Sequence, residues 1–448
     1  MKTDGCGAFR ANFKPYLLPF WEVDSLSLPT SSLPGPKNIT RVQLANGIVV
    51  LSRANFNSPS VVASGYLQCG SINDPDEKLG LADFTAAALM RGTQKRNFQE
   101  IYDALESVGA NLSLESSTHS TGFGSKALAE DLGMVLQLLA EALRQPAFPE
   151  NQVERLRAQI LTRLGIRAQD TGEMASMAFD SIAYANHPYS RPEEGYPETV
   201  NAISREDLIA FHRKYYGPTG MVIAIVGAVE PLRAVEMVAE VLGDWQNPEQ
   251  PTPPILPPLT PLQATRIEKV TLPGKFQTDI VMGAAGPSRF AEDYIAAALG
   301  NNILGQFGMM GRIGDVVREK AGLAYYAHSS LSGGLGPGPW IVSAGVDPVN
   351  VDRVIDLIRA EIARFTREPV GQDELADSQA NFIGRLPLTL ESNGGVAGAL
   401  LNLERYQLGL DYYLRYPELV NNVTVEQVLE TARTYLDPER LAIGLAGP

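Results

Sequence analysis

Residues 197–227 read PETVNAISREDLIAFHRKYYGPTGMVIAIVG, and residues 417–447 read PELVNNVTVEQVLETARTYLDPERLAIGLAG. At an offset of 220 the two run together without a gap: Pro197 meets Pro417, Glu198 Glu418, Val200 Val420, Asn201 Asn421 and Glu206 Glu426. Arg213 then meets Arg433, Tyr215 Tyr435, Pro218 Pro438, Ile223 Ile443 and Gly227 Gly447, and apolar pairs such as Ile203/Val423 and Leu208/Val428 fall in register. A long stretch present twice marks a duplicated domain, because a solenoid needs three or more short repeats to bury its faces. Each copy spells the same local structure. Ser204 followed by Asp207, and Thr424 followed by Gln427, are pairs in which side chains and backbone cap each other at a helix start. Gly217-Pro218 stops the first helix, and 221–226 and 441–445 read as buried strands.

Outward from the repeat the chain divides simply. Pro248, Pro251, Pro253, Pro254, Pro257, Pro258 and Pro261 crowd one short segment. Each fixes φ and lacks an N–H, so the segment is extended and semi-rigid. The expected organisation is an N-terminal extension 1–34, a first domain 35–245, a Pro-rich linker 246–262 and a second domain 263–448. In the first half, 42–44 and 48–51 flank Asn46-Gly47, a strong hairpin signal. Leu132, Val135, Leu136, Leu139 and Leu143 line one face of a helix. Strands, hairpins and helices mix in both halves. The fold class is therefore α+β: two homologous domains, each a mostly antiparallel sheet with helices packed on one face.

Composition narrows the function. The 448 residues carry a net charge of −14, with a pI near 4.9, which argues against nucleic acid or an anionic membrane surface as partner. No apolar run reaches membrane-spanning length, and the stretch at 16–21 is short and broken by Pro19. A cytoplasmic protein is expected. Cys6 and Cys69 are too far apart for a CxxC pair and are read as reduced thiols. Of the four histidines, His119, His187, His212 and His328, none has a second His or Cys three or four residues away, so each is read as structural. No phosphate-binding loop, dinucleotide fingerprint or nucleophile elbow is present.

The first half also contains Gly70-Ser71 and then Gly80-Leu81-Ala82-Asp83-Phe84-Thr85-Ala86-Ala87-Ala88-Leu89-Met90-Arg91-Gly92-Thr93. This segment resembles the pitrilysin, or insulinase-like, zinc peptidases, including the mitochondrial processing peptidase branch. In their catalytic chains it holds H-x-x-E-H between the same Gly-Leu-Ala and Gly-Thr flanks. Here the flanks remain, and the resemblance puts Asp83 and Ala87 at the two histidine positions and Ala86 at the general-base glutamate. The family's third ligand, a later glutamate, falls near Arg163. A catalytic zinc needs three protein ligands and an open position. Alanine cannot ligate and arginine repels a cation, so no metal is expected in this chain.

The second half holds Val316-Val317-Arg318-Glu319-Lys320-Ala321-Gly322-Leu323-Ala324-Tyr325-Tyr326. It is similar to the family's R-E-K-x-G-L-A-Y signature, whose Arg and Tyr reach across to the zinc-bearing domain, hold the peptide main chain and donate to the scissile carbonyl. By position these are Arg318 and Tyr325. Independently of the resemblance, Gly322 suits the residue just past a helix end. An Arg fork grips carbonyl oxygens, and a phenol donates to an oxyanion. Tyr326, on the other strand face, is expected to pack. Arg312 matches the Arg of a family S-R-L segment, and the run from Gly305 to Gly311 resembles the glycine-rich loop of non-catalytic processing-peptidase subunits. Gly333 to Pro339 reads as a turn between strands.

The resemblance, which spans about 38–447, implies a non-catalytic, substrate-binding subunit of a heterodimeric zinc metallopeptidase. Such a chain is inactive alone, carries no cofactor and binds extended peptides. A catalytic partner chain would supply H-x-x-E-H, zinc and the base. The alternative from another class is an inert paralogue acting as a scaffold subunit, which has no need of an intact Arg318–Tyr325 string. A self-sufficient peptidase is disfavoured by the four scattered histidines.

Overall fold

The computed structural model describes residues 33–448. The N-terminal extension, up to its last two residues, lies outside the described residues, as do Cys6 and the stretch 16–21. Residues 34–448 form one compact unit.

Among the described residues, eleven strands make two sheets. β1 (Thr40–Gln43), β2 (Val49–Ala54), β3 (Ser60–Leu67), β4 (Asn111–Ser116), β5 (Thr121–Leu128) and β6 (Val222–Gly227) form the first, in the order β1-β2-β6-β3-β5-β4. β7 (Arg266–Thr271), β8 (Thr278–Ala285), β9 (Ala324–Leu331), β10 (Pro339–Val346) and β11 (Ala442–Gly447) form the second, in the order β7-β11-β8-β10-β9. Apart from β1 the two orders coincide, so the duplication seen at 197–227 and 417–447 extends through the topology. Only β2/β6 and β7/β11 pair in parallel. The Asn46-Gly47 turn closes the β1–β2 hairpin, with Gly47 at φ 95° as such a turn requires.

The first half carries α1 (Leu81–Ala88), α2 (Phe98–Glu106), α3 (Leu132–Arg144), α4 (Glu150–Arg167), α5 (Thr171–Ala183), α6 (Pro197–Ala202), α7 (Arg205–Tyr215) and α8 (Pro231–Leu242). The second carries α9 (Tyr294–Gly305), α10 (Phe307–Gly314), α11 (Val351–Phe365), α12 (Gln372–Thr389), α13 (Asn393–Arg405), α14 (Tyr412–Asn421) and α15 (Val425–Tyr435). Both capping boxes form: Ser204 accepts from the Asp207 N–H at the head of α7, and Thr424 from the Gln427 N–H at the head of α15. Each half packs most of its helices on one sheet face around its own core.

The opposite faces are covered reciprocally. Helix α13 of the second half lays Val396, Ala397, Leu400 and Leu403 against Val49, Leu51, Val62 and Val222 of the first sheet. Helix α5 of the first half lays Ala175, Phe179 and Ile182 against Val281, Ala442 and Ala446 of the second. The Pro-rich segment holds no strand or helix between 251 and 262, and Leu259 and Leu262 pack against this second contact.

Helix α5 also carries a partly buried carboxyl, Asp180. Burial pushes Asp180 up from 3.8 to about 7. A carboxyl raised on folding binds its proton more tightly folded than unfolded. Stability therefore falls as pH climbs from the unfolded value through about 7, and stays reduced above it. Asp180→Asn removes that loss. Thermal melts should show the variant more stable than wild type at pH 8, by about 1–2 kcal/mol since the group keeps some water contact, with the gap closing near pH 4. A gap that is unchanged between the two pH values would rule this out.

Candidate functional site

Helix α1 is anchored from below. The buried Asp74 carboxylate accepts from the N–H groups of Gly80 and Ala82, both at 2.9 Å, which satisfies donors that a helix start leaves open. One turn on, the structure brings together two of the residues singled out in sequence. Arg163, on α4, donates to Asp83 at 2.8 Å, and its Nε lies 2.8 Å from Glu194. Arg167 joins the same Glu194 at 3.2 Å. Burial raises the Asp83 carboxyl above its ordinary range, opposed by the Arg163 charge. Ala86 is fully buried, and Ala87 packs against the first-half core.

These residues do not fit a zinc ion. The only carboxylate among the four positions is taken up by a guanidinium, and that guanidinium puts a positive charge where a ligand would be needed. Among the described residues, no group of three or more His, Cys, Asp or Glu is placed to hold a metal.

Arg318 and Tyr325 lie in the second half. The helix carrying Arg318 widens into a π-helical turn, Asp315–Lys320, a form often found at functional positions. Gly322 follows at φ 65°, its N–H donating to the Arg318 carbonyl at 3.0 Å, which is the left-handed cap expected. The strand then opens with an irregularity that sequence gave no sign of. Tyr326 pairs with Gly345 and Ala324 with Val346, leaving Tyr325 as an extra residue in β9. Such a β-bulge re-aims a side chain. Tyr325 is 86% exposed, and the half-exposed Arg318 makes a loose 3.7 Å contact with Glu319.

Three neighbouring expectations change. Arg312 is not available to a ligand: it forms a bidentate pair with Glu374 at 2.9 and 2.6 Å and approaches Glu361 at 3.9 Å. The run from Gly305 to Gly311 is not a loop but the end of α9 and the start of α10. Tyr326 does more than pack, since its hydroxyl donates to Asp279 at 2.5 Å. The Gly333 to Pro339 segment does join β9 to β10.

The histidines are less scattered in space than in sequence. His119 Nε2 lies 2.7 Å from the Tyr189 hydroxyl, and the His187 ring sits 4.6 Å from the Tyr189 ring. Burial pushes His119 down to about 4. His212 donates to the Leu143 carbonyl at 2.8 Å, and the His328 ring lies 5.8 Å from that of Tyr326. Cys69 is a buried free thiol, pushed up to about 12 by burial.

Two models of one family match the chain, "Insulinase (Peptidase family M16)" over residues 49–195 and "Peptidase M16 inactive domain" over residues 202–382. The chain belongs to peptidase family M16. An uncharacterized zinc protease of Streptomyces coelicolor is 26% identical over 92% of this chain and 90% of its own. A probable mitochondrial-processing peptidase subunit beta of Arabidopsis thaliana is 29% identical over 45% of this chain and 38% of its own. The crystal structure of a peptidase M16 inactive domain from Pseudomonas fluorescens superposes with a TM-score of 0.85 at 26% identity, covering 92% of this chain and 98% of that one. No helix among the described residues of this M16 chain is long and apolar enough to cross a membrane.

Proposed function

We propose that this M16 chain is the non-catalytic, peptide-binding subunit of a heterodimeric zinc peptidase. Its partner would carry H-x-x-E-H, the zinc and the general base. The observation that carries the reading is the bulge at Tyr325. The bulge turns Tyr325 out to 86% exposure, and Arg318, seven residues before it, is half-exposed, so both side chains are open to a ligand. On this reading the Tyr325 phenol donates to the carbonyl oxygen of the bound peptide bond, and Arg318 grips main-chain carbonyls on either side. The Asp83–Arg163 pair supports the second part of the reading, that the hydrolytic centre is in another chain. A relative that is itself named as a subunit is consistent with an assembly of two chains.

The test begins with the chain alone. Elemental analysis of purified protein should find no stoichiometric zinc, and the protein should leave fluorogenic peptides intact. About one tightly held zinc per chain would sink the proposal, because a structural or catalytic site of ordinary affinity retains its metal through purification.

A further inference from the structure

We propose that Tyr326, Gly345, Asp279 and Thr171 form a positioning device that holds Tyr325 in its outward bulge, an inference that rests on Tyr325 acting on peptide. The device is a row across three strands. Tyr326 on β9 faces Gly345 on β10, and Gly345 faces Asp279 on β8. Because Gly345 has no side chain, the Tyr326 ring crosses over it and its hydroxyl reaches Asp279 Oδ1 at 2.5 Å. The space is closely matched: a methyl group added at Gly345 would lie 2.5 Å from both Tyr326 Cε1 and Gln277 Nε2. Asp279 is 3% exposed. Gln277 Nε2 donates to its Oδ1 at 2.9 Å, and the Thr171 hydroxyl donates to its Oδ2.

A buried carboxylate without a cation is stable only while its donors stay in place. Tyr326 is one of them, and it is the residue immediately after the bulge. A slip of β9 that kept Ala324 opposite Val346 and brought Tyr325 opposite Gly345 would erase the bulge, turn Tyr325 onto the sheet face and move Tyr326 to Ala344. It would also pull the Tyr326 hydroxyl off Asp279 and leave a buried acceptor short of a donor. The hydrogen bond therefore opposes the slip that would put Tyr325 in the place of Tyr326. Thr171 begins α5, the helix that the first half lays on this sheet, so the device also ties the bulge to the first half.

The variants are Tyr326→Phe, which removes the donor, and Gly345→Ala, which leaves every polar group and displaces the ring. Two readouts separate the device from the role of Tyr325. In the full chain alone, 3-fluorotyrosine at 325 should give one resonance near that of the unfolded chain, and both variants should move it away from there as Tyr325 turns onto the sheet face. In the complex with the catalytic chain, Tyr326→Phe should lower kcat about 3- to 10-fold when residue 325 is Tyr, and less than about 2-fold in a Tyr325→Phe background. Equal losses in both backgrounds would make Tyr326 a merely structural residue and overturn the proposal. So would an unmoved fluorine resonance, or an unchanged kcat where Tyr325→Phe itself is impaired. Wild-type turnover for Tyr325→Phe would instead defeat the peptide-binding role of Tyr325, and the fluorine spectrum alone would then decide the device.

Discussion

Tyr325→Phe should lower the turnover of the reconstituted peptidase about 10- to 1,000-fold, the range seen when one oxyanion donor is removed. The change deletes a single hydroxyl from a side chain that is 86% exposed, so neither folding nor assembly should suffer. KM should move little, because a donor that matters most when negative charge develops on the carbonyl contributes little to ground-state binding. Arg318→Ala should behave differently. Its fork would grip main-chain carbonyls both before and during reaction, so the loss should appear mainly in KM. Steady-state kinetics on the complex, with size-exclusion chromatography confirming assembly, separates the two. Wild-type rates for both variants would leave the chain as a scaffold.

The second large effect concerns the exchange of helices between halves. A methyl group placed at Gly444 on β11 would lie 2.0 Å from the Ala175 carbonyl oxygen and 2.6 Å from the Phe179 nitrogen, both in the backbone of α5. Backbone cannot rotate aside as a side chain can, so Gly444→Ala must lift α5 off the second sheet. The expected cost is about 3 kcal/mol or more, the upper end for overpacked cores. Gly384→Ala, at an exposed position inside α12 with nothing within 4 Å of the new methyl, is the matched control and should stabilise by about 0.5–1 kcal/mol. Denaturant melts of the two variants should therefore shift in opposite directions. A Gly444→Ala melt at or above wild type would mean that α5 does not sit where the structure puts it.

What could be read in advance follows the range of the forces involved. The β1–β2 hairpin was legible because Asn46-Gly47 encodes its own turn, and α7 and α15 because Ser204 with Asp207 and Thr424 with Gln427 encode their own caps. The duplication was legible because two distant segments keep one pattern. The exchange of α5 and α13 was not, because an apolar stripe says that a helix buries one face and nothing about which sheet receives it. The role of Arg312 was not legible for a related reason: Glu361 and Glu374, which occupy it, sit on α11 and α12, far along the chain. The family resemblance put Asp83 and Arg163 at separate ligand positions, and their ion pair had no local signal. The bulge at Tyr325 had none either, because it depends on what Tyr326 finds two strands away.

The central claim is that catalysis needs a second chain and that this one contributes to it through Arg318 and Tyr325. The most direct measurement is peptide cleavage by this chain alone, by an M16 chain bearing H-x-x-E-H alone, and by the two mixed at equal concentration. The account predicts cleavage only in the mixture, abolished by chelation and strongly reduced when this chain carries both Tyr325→Phe and Arg318→Ala. Cleavage by the H-x-x-E-H chain that is the same with or without this protein would contradict it.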